Sequence, residues 1–126
     1  MNDLTIKKIL IVDDEEAILF AFSKVLMKHD LQIHTASSLN DAWNLMKKNE
    51  YQAVIADLRL SGTGNNEGFD VIRFVKTNQK NCKIVVMTAF GDENTKAKAF
   101  SLGIDHYLEK PISPYKLKEF LERTEI

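Results

Sequence analysis

Five times along this chain a short apolar run hands over to a stripe of apolar residues at helical spacing, and that alternation constrains the fold more than any other feature. Ile9-Leu10-Ile11-Val12 is continuous and rich in β-branched side chains, the pattern of a strand buried on both faces. After Asp13-Asp14-Glu15-Glu16 the period changes: Ile18, Ala21, Phe22 and Val25 lie on one stripe of a helix that should end near His29. Acidic residues at its start and Lys24 and Lys28 toward its end suit the helix dipole. A weaker strand, Gln32 to Ala36, precedes a stripe of Leu39, Ala42, Trp43 and Met46, with Ser38 and Asp41 placed as a capping box.

The third strand, Ala53-Val54-Ile55-Ala56, runs into Asp57, a polar loop from Ser61 to Gly68, and a helix carrying Val71, Ile72 and Val75. The fourth strand is Lys83 to Met87, ending at Thr88. Its helix, from about Asp92 to Leu102, has a thin stripe of Ala99 and Phe100 and stops before Gly103, a left-handed C′ residue. A short fifth strand around His106 to Leu108 ends at Lys110-Pro111. Ser113-Pro114 opens the last helix as N-cap and first-turn proline, with Leu117, Phe120 and Leu121 facing the core.

Strands alternating with helices imply right-handed crossovers and a parallel sheet covered on both faces. The expected fold class is α/β: a three-layer α/β/α sandwich of flavodoxin-like (βα)5 type with strand order 2-1-3-4-5. With 126 residues, no linker and no second composition zone, residues 1–126 read as one domain. Seventeen basic against eighteen acidic residues argue against direct nucleic-acid binding, which needs clustered positive charge. The single cysteine, Cys82, excludes an internal disulfide and suits a reducing compartment. The longest apolar stretch, Ala17 to Phe22, is too short to span a bilayer, and the first residues lack a signal-peptide pattern. A soluble, cytoplasmic domain is expected.

The strand ends carry the functional signal. Strand one stops at Asp13-Asp14, strand three at Asp57, strand four at Thr88 and strand five at Lys110. Open parallel sheets bind ligands beyond the carboxyl ends of their strands, where strand order reverses. Each residue alone has a plainer reading: helix-start acids, a loop aspartate, a strand-end hydroxyl, a surface lysine. Four strand ends together favour function. Three clustered carboxylates call for a cation, and oxygen-only ligands suit Mg²⁺. The cation and Lys110 would offset phosphoryl charge from two sides, Thr88 would add a hydrogen bond, and an aspartate held there can become an aspartyl phosphate.

Ile11-Val12-Asp13-Asp14-Glu15, Asp57, Met87-Thr88-Ala89 and Tyr107-Leu108-Glu109-Lys110-Pro111, in this order, resemble the receiver domain of two-component response regulators, from about Lys7 to Arg123. The resemblance implies that Asp57 accepts a phosphoryl group from a phosphohistidine on a sensor histidine kinase or histidine phosphotransfer protein. Asp14, Asp57 and the Arg59 backbone carbonyl would bind Mg²⁺ directly (Mn²⁺ substituting), with Asp13 acting through water. Thr88 and Lys110 would hold the phosphoryl oxygens, Lys110-Pro111 would be cis, and Tyr107 would turn inward as a switch. The output partner or domain would meet the fourth helix, fifth strand and fifth helix, in a monomer or a phosphorylation-dependent homodimer. The arginine expected at about Phe120 for one common dimer face is lacking.

The chain departs from the family pattern at two places. Leu60-Ser61 replaces the usual pair after the acceptor, and Gly68 arrives about three residues late, lengthening the loop Ser61 to Glu67. Arg59 and Phe90 occupy positions that tune hydrolytic water, and neither suits orienting it, so slow self-dephosphorylation is expected. Rival readings fare worse. An aspartate-nucleophile phosphatase wants an acid where Arg59 stands, and a flavodoxin needs a phosphate loop where Asp13 to Glu16 would repel phosphate. A phosphorylation-independent binding module of the same fold is the alternative. His29, His34 and His106 read as structural or surface groups and Cys82 as an idle thiol. The chain's end at Ile126 suits a stand-alone regulator or the first part of a longer protein.

Overall fold

The computed structural model describes residues 6–28, 30–59, 67–89 and 91–126. Expectations placed on His29, on Phe90 and on residues 60–66 fall outside these. Elements alternate as the pattern requires: β1 (Lys7–Val12), α1 (Glu16–Leu26), β2 (Leu31–Ala36), α2 (Leu39–Lys48), β3 (Ala53–Ala56), α3 (Glu67–Asn78), β4 (Lys83–Thr88), α4 (Glu93–Ser101), β5 (His106–Glu109) and α5 (Pro114–Arg123). The strands are parallel in the order β2-β1-β3-β4-β5.

Period-two alternation along the central strands sorts side chains to two cores. Leu10, Val12, Val54, Ala56, Ile84 and Val86 face α2 and α3 through Ala42, Met46, Val71, Ile72 and Val75. Ile9, Ile11, Ala53, Ile55, Val85 and Met87 face α1 and α5 through Leu19, Phe22, Leu26, Leu117 and Leu121. Burying each large aliphatic side chain contributes roughly 1.5–3 kcal/mol, so these layers fix the strands' positions.

The caps follow the sequence closely. Ser38 Oγ accepts from the Asp41 N–H (3.1 Å), Asp92 Oδ1 from the Thr95 N–H (2.7 Å) and Ser113 Oγ from the Lys116 N–H (3.1 Å). Gly103 takes φ 102°, as a C′ residue. Three expectations need correction. Helix α1 ends at Leu26, short of His29, because Met27 has extended backbone. Trp43 is exposed and tilts its ring onto Phe74 of α3 instead of entering the core. On α4 only Ala99 is buried; Phe100 is 44% exposed, so this helix rests on the sheet through little more than one methyl group. No described helix is long and apolar enough to cross a membrane.

Candidate phosphoacceptor site

Hydrogen bonding carries the sheet one residue past its strands and so sets the site. The Asp13 N–H donates to Ala36 O, the Asp57 N–H to Val12 O, and the Lys110 N–H to Thr88 O, each at 3.0 Å. Val12 and Ala56 are paired in register, so Asp13 and Asp57 emerge side by side at the carboxyl edge. Thr88 pairs with Glu109 on the other flank and is fully buried. Lys110-Pro111 is cis.

The two aspartates are held alike. Asp13 Oδ1 accepts from the Glu15 N–H (2.9 Å), and Asp57 Oδ1 from the Arg59 N–H (3.0 Å). Their Oδ2 atoms share one donor, Lys110 Nζ, at 2.6 and 2.8 Å. Asp13 is 0% and Asp57 5% exposed. Burial pushes the Asp13 carboxyl up from its ordinary range, against the pull of Lys110. Burial works to lower the Lys110 ammonium, but its bonds to Asp13 and Asp57 outweigh this and hold it above its usual value. Glu15, read in the sequence only as a helix-start acid, places Oε1 3.7 Å from Lys110 Nζ. Its carboxylate is exposed, and only the topology, not the local pattern, reveals that it faces the lysine.

The structure thus brings Asp13, Asp57 and Lys110 into direct contact and sets Thr88 beside them. Asp14 is exposed next to Asp13 and takes no part in the lysine-centred bonds. Among the described residues, no three His, Cys, Asp or Glu side chains already stand grouped around a metal position. The donor chemistry nevertheless fits a hard divalent cation: two adjacent carboxylates, a third beside them and a neighbouring peptide carbonyl offer only oxygen. Lys110 now supplies the positive charge between two of them.

Tyr107 lies on β5 with its ring half-buried and its hydroxyl buried, without a hydrogen-bond partner among the described residues. Lys96 Nζ stands 5.6 Å from its ring centroid, and the Phe100 ring lies 6.4 Å away. Burial, then the charges of Glu109, Asp92, Glu93 and Asp57, push its phenol pKa up. A groove of about 490 Å³ opens beside Lys110, walled by Ile18, Ala21 and Phe22 of α1 and by Pro111 and Ile112.

Gly68 closes the segment that follows Asp57. Its N–H donates to Leu58 O at 3.2 Å, and a Cβ there would overlap Leu58 backbone atoms, its carbonyl carbon at 2.6 Å. Leu58 and Gly68 therefore meet directly, beside Asp57 in the chain. Whatever the loop's length, its base stays fixed next to Asp57.

Comparison with known proteins bears on the fold and the family. A family model described as the response regulator receiver domain matches residues 9–122. The chain is 33% identical over 122 residues to the transcriptional regulatory protein SrrA of Staphylococcus aureus, covering 94% of this chain and 49% of that protein. It therefore spans about half the length of the curated relatives it matches. A CheY-like response regulator receiver domain from Methanospirillum hungatei superposes with TM-score 0.84 at 22% identity, over 94% of this chain and 93% of that one. A Burkholderia pseudomallei response regulator, solved with a phosphorylated aspartic acid, calcium ion and citrate, gives 0.79 at 21% identity, over 94% and 72%.

Proposed function

The chain belongs to the response regulator receiver family, and from that premise we propose that Asp57 is its phosphoacceptor, with Thr88 and Lys110 holding the phosphoryl oxygens. Family membership makes the chain a regulatory domain of two-component signalling and not a classical enzyme. The observation that carries the assignment is the buried Asp57 carboxylate with Lys110 Nζ 2.8 Å from Oδ2.

Oδ2 attacks the phosphorus of a phosphohistidine on a sensor kinase or phosphotransfer protein. The P–N bond breaks as the P–O bond forms, and the departing imidazole nitrogen keeps the bond's electron pair and takes up a proton from water. Lys110 already neutralises the acceptor's surroundings and needs little movement to meet the new phosphoryl oxygens. Asp13, Asp14, Asp57 and the Arg59 carbonyl would hold a divalent cation, for which we propose Mg²⁺ or Mn²⁺. Such an ion offsets phosphoryl charge. Phosphorylation then favours an arrangement the free chain already samples, with Tyr107 as its reporter and the α4-β5-α5 face as its output surface. We extend the reading to one receiver domain across residues 1–126, to a cytoplasmic setting, to a monomer or phosphorylation-dependent homodimer, and to slow self-dephosphorylation, since the Arg59 side chain is poorly suited to orient attacking water.

Intact-protein mass spectrometry after incubation with acetyl phosphate tests the proposal. One added phosphoryl group that needs Mg²⁺ and vanishes in Asp57→Asn supports it. A phosphoryl group retained by Asp57→Asn sinks the assignment. Absence of labelling together with absence of beryllofluoride binding favours the phosphorylation-independent binding module.

A further inference from the structure

The hydroxyl of Tyr107 occupies the space that any side chain at position 91 would fill. A Cβ built on Gly91 overlaps Tyr107 Oη outright and lies 2.7 Å from Cζ and 3.1 Å from Cε1. Nothing else within reach of that Cβ is nearer. Gly91 differs in kind from the two other described glycines. At Gly68 the obstruction is Leu58 backbone, and at Gly103 the positive φ itself disfavours a side chain. Gly91 has no left-handed backbone, and the three atoms nearest its missing Cβ all belong to the tyrosine.

We infer that Gly91 is a positioning residue: the slot it leaves open admits the Tyr107 hydroxyl, and so sets the ring's inward seat and, through the ring, the seat of α4. Three observations tie the ring to the helix. Lys96 and Phe100, one turn apart on α4, both lie against the ring. Ala99 is the one buried residue of α4. The buried hydroxyl has no hydrogen-bond partner among the described residues, so shape rather than a bond retains it. An unbonded buried hydroxyl is costly, which weakens the inward seat against an outward one. A methyl group at position 91 is enough to tip that balance, because a ring tip can swing away where backbone cannot. The link from ring position to signalling rests on the receiver reading above; the slot itself rests on geometry alone.

The test uses the full chain labelled with 3-fluorotyrosine, whose three tyrosines give three ¹⁹F signals assigned by Tyr→Phe variants. In Gly91→Ala the Tyr107 signal should acquire the H₂O/D₂O solvent shift of exposed Tyr115 while that of Tyr51 stays put. An unmoved Tyr107 signal in folded Gly91→Ala overturns the inference. Should Gly91→Ala fold poorly, urea titration of Gly91→Ala, Tyr107→Ala and the double variant decides. The slot requires Gly91→Ala to lose most of its effect once Tyr107 is gone, and equal effects in both backgrounds refute it. Beryllofluoride binding separates this inference from the receiver reading. Weaker binding in Gly91→Ala, with the loss abolished in the double variant, supports the slot's link to the acceptor site. A moved ring in a chain that never takes beryllofluoride upholds the slot and removes the phosphoacceptor assignment.

Discussion

Asp13 and Asp57 repeat one bonding pattern on adjacent strands: each receives at Oδ1 the N–H two residues on, and each gives Oδ2 to the same Lys110 ammonium. The repetition follows from register. Val12 and Ala56 pair across β1 and β3, so both chains leave the sheet at one height and both aspartates turn the same way. One cation can then serve two buried anions.

Removing that cation should be costly. Lys110→Met leaves two adjacent carboxylates, one fully buried, with no ammonium between them. Breaking a buried pair from one side typically costs about 3 kcal/mol or more, against almost nothing for an exposed pair. Urea unfolding at neutral pH should show a loss of about 3 kcal/mol. Added MgCl₂ should recover more stability in the variant than it adds to the wild type. Unchanged stability without the cation would mean that water solvates these carboxylates well enough on its own. Acetyl phosphate labelling of Asp57 should also fall sharply, since the lysine no longer meets phosphoryl charge.

Gly68→Ala should damage the site through backbone. The added methyl group meets Leu58 main-chain atoms, which cannot swing aside, and it opposes the 3.2 Å bond that closes the loop base. Overpacking of this kind costs about 1–3 kcal/mol. Thermal or urea unfolding would show the loss, and phosphorylation of Asp57 would slow with it. Gly91→Ala, opposed only by a ring tip, should be the milder of the two in stability.

The strand cores, the strand order and the lysine-aspartate cluster were legible in the sequence, because each depends on residues at the end of a recognisable apolar run. Asp13, Asp57, Thr88 and Lys110 could be placed at one sheet edge by topology alone. Contacts set by long-range packing were not legible. Gln79, 8% exposed, accepts the Tyr51 N–H at 2.8 Å and donates to Met46 O and Asn49 O at 3.0 and 2.9 Å, tying the end of α3 to the α2–β3 connection. No periodicity near residue 79 points to partners some thirty positions earlier. Trp43 misled for a related reason. Helical spacing puts it on the apolar stripe, but α3 gives its ring a half-exposed seat on Phe74 instead of a place in the core.

Cys82 should be nearly inert in the folded chain. Burial, with the Asp105 charge adding to it, pushes its thiol from 9.0 up to about 12. Since the thiolate is the reacting form, alkylation by iodoacetamide at pH 8 should be markedly slower than for an unfolded control. Mass spectrometry over a time course, with and without urea, gives both rates. Equal rates would show that the thiol is not shielded.

The His34–Tyr51 pair sets a pH dependence at the far edge of the sheet. His34 Nδ1 lies 2.7 Å from Tyr51 Oη, and the rings meet edge to face at 5.5 Å. Burial pushes the Tyr51 phenol up to about 12, so its hydroxyl stays protonated and can donate to a neutral His34 at Nδ1. Burial, and then the Lys8 charge, lower the His34 pKa from 6.5. The unfolded chain therefore binds this proton more readily than the folded one. Stability from this group is complete above about pH 6.5 and is lost as pH falls from there through the lower, folded value. Urea midpoints at pH 7.5 and 5.5 should separate in the wild type, and the separation should narrow in His34→Gln, which cannot take up the proton. An equal separation in both proteins would place the pH dependence elsewhere in the chain.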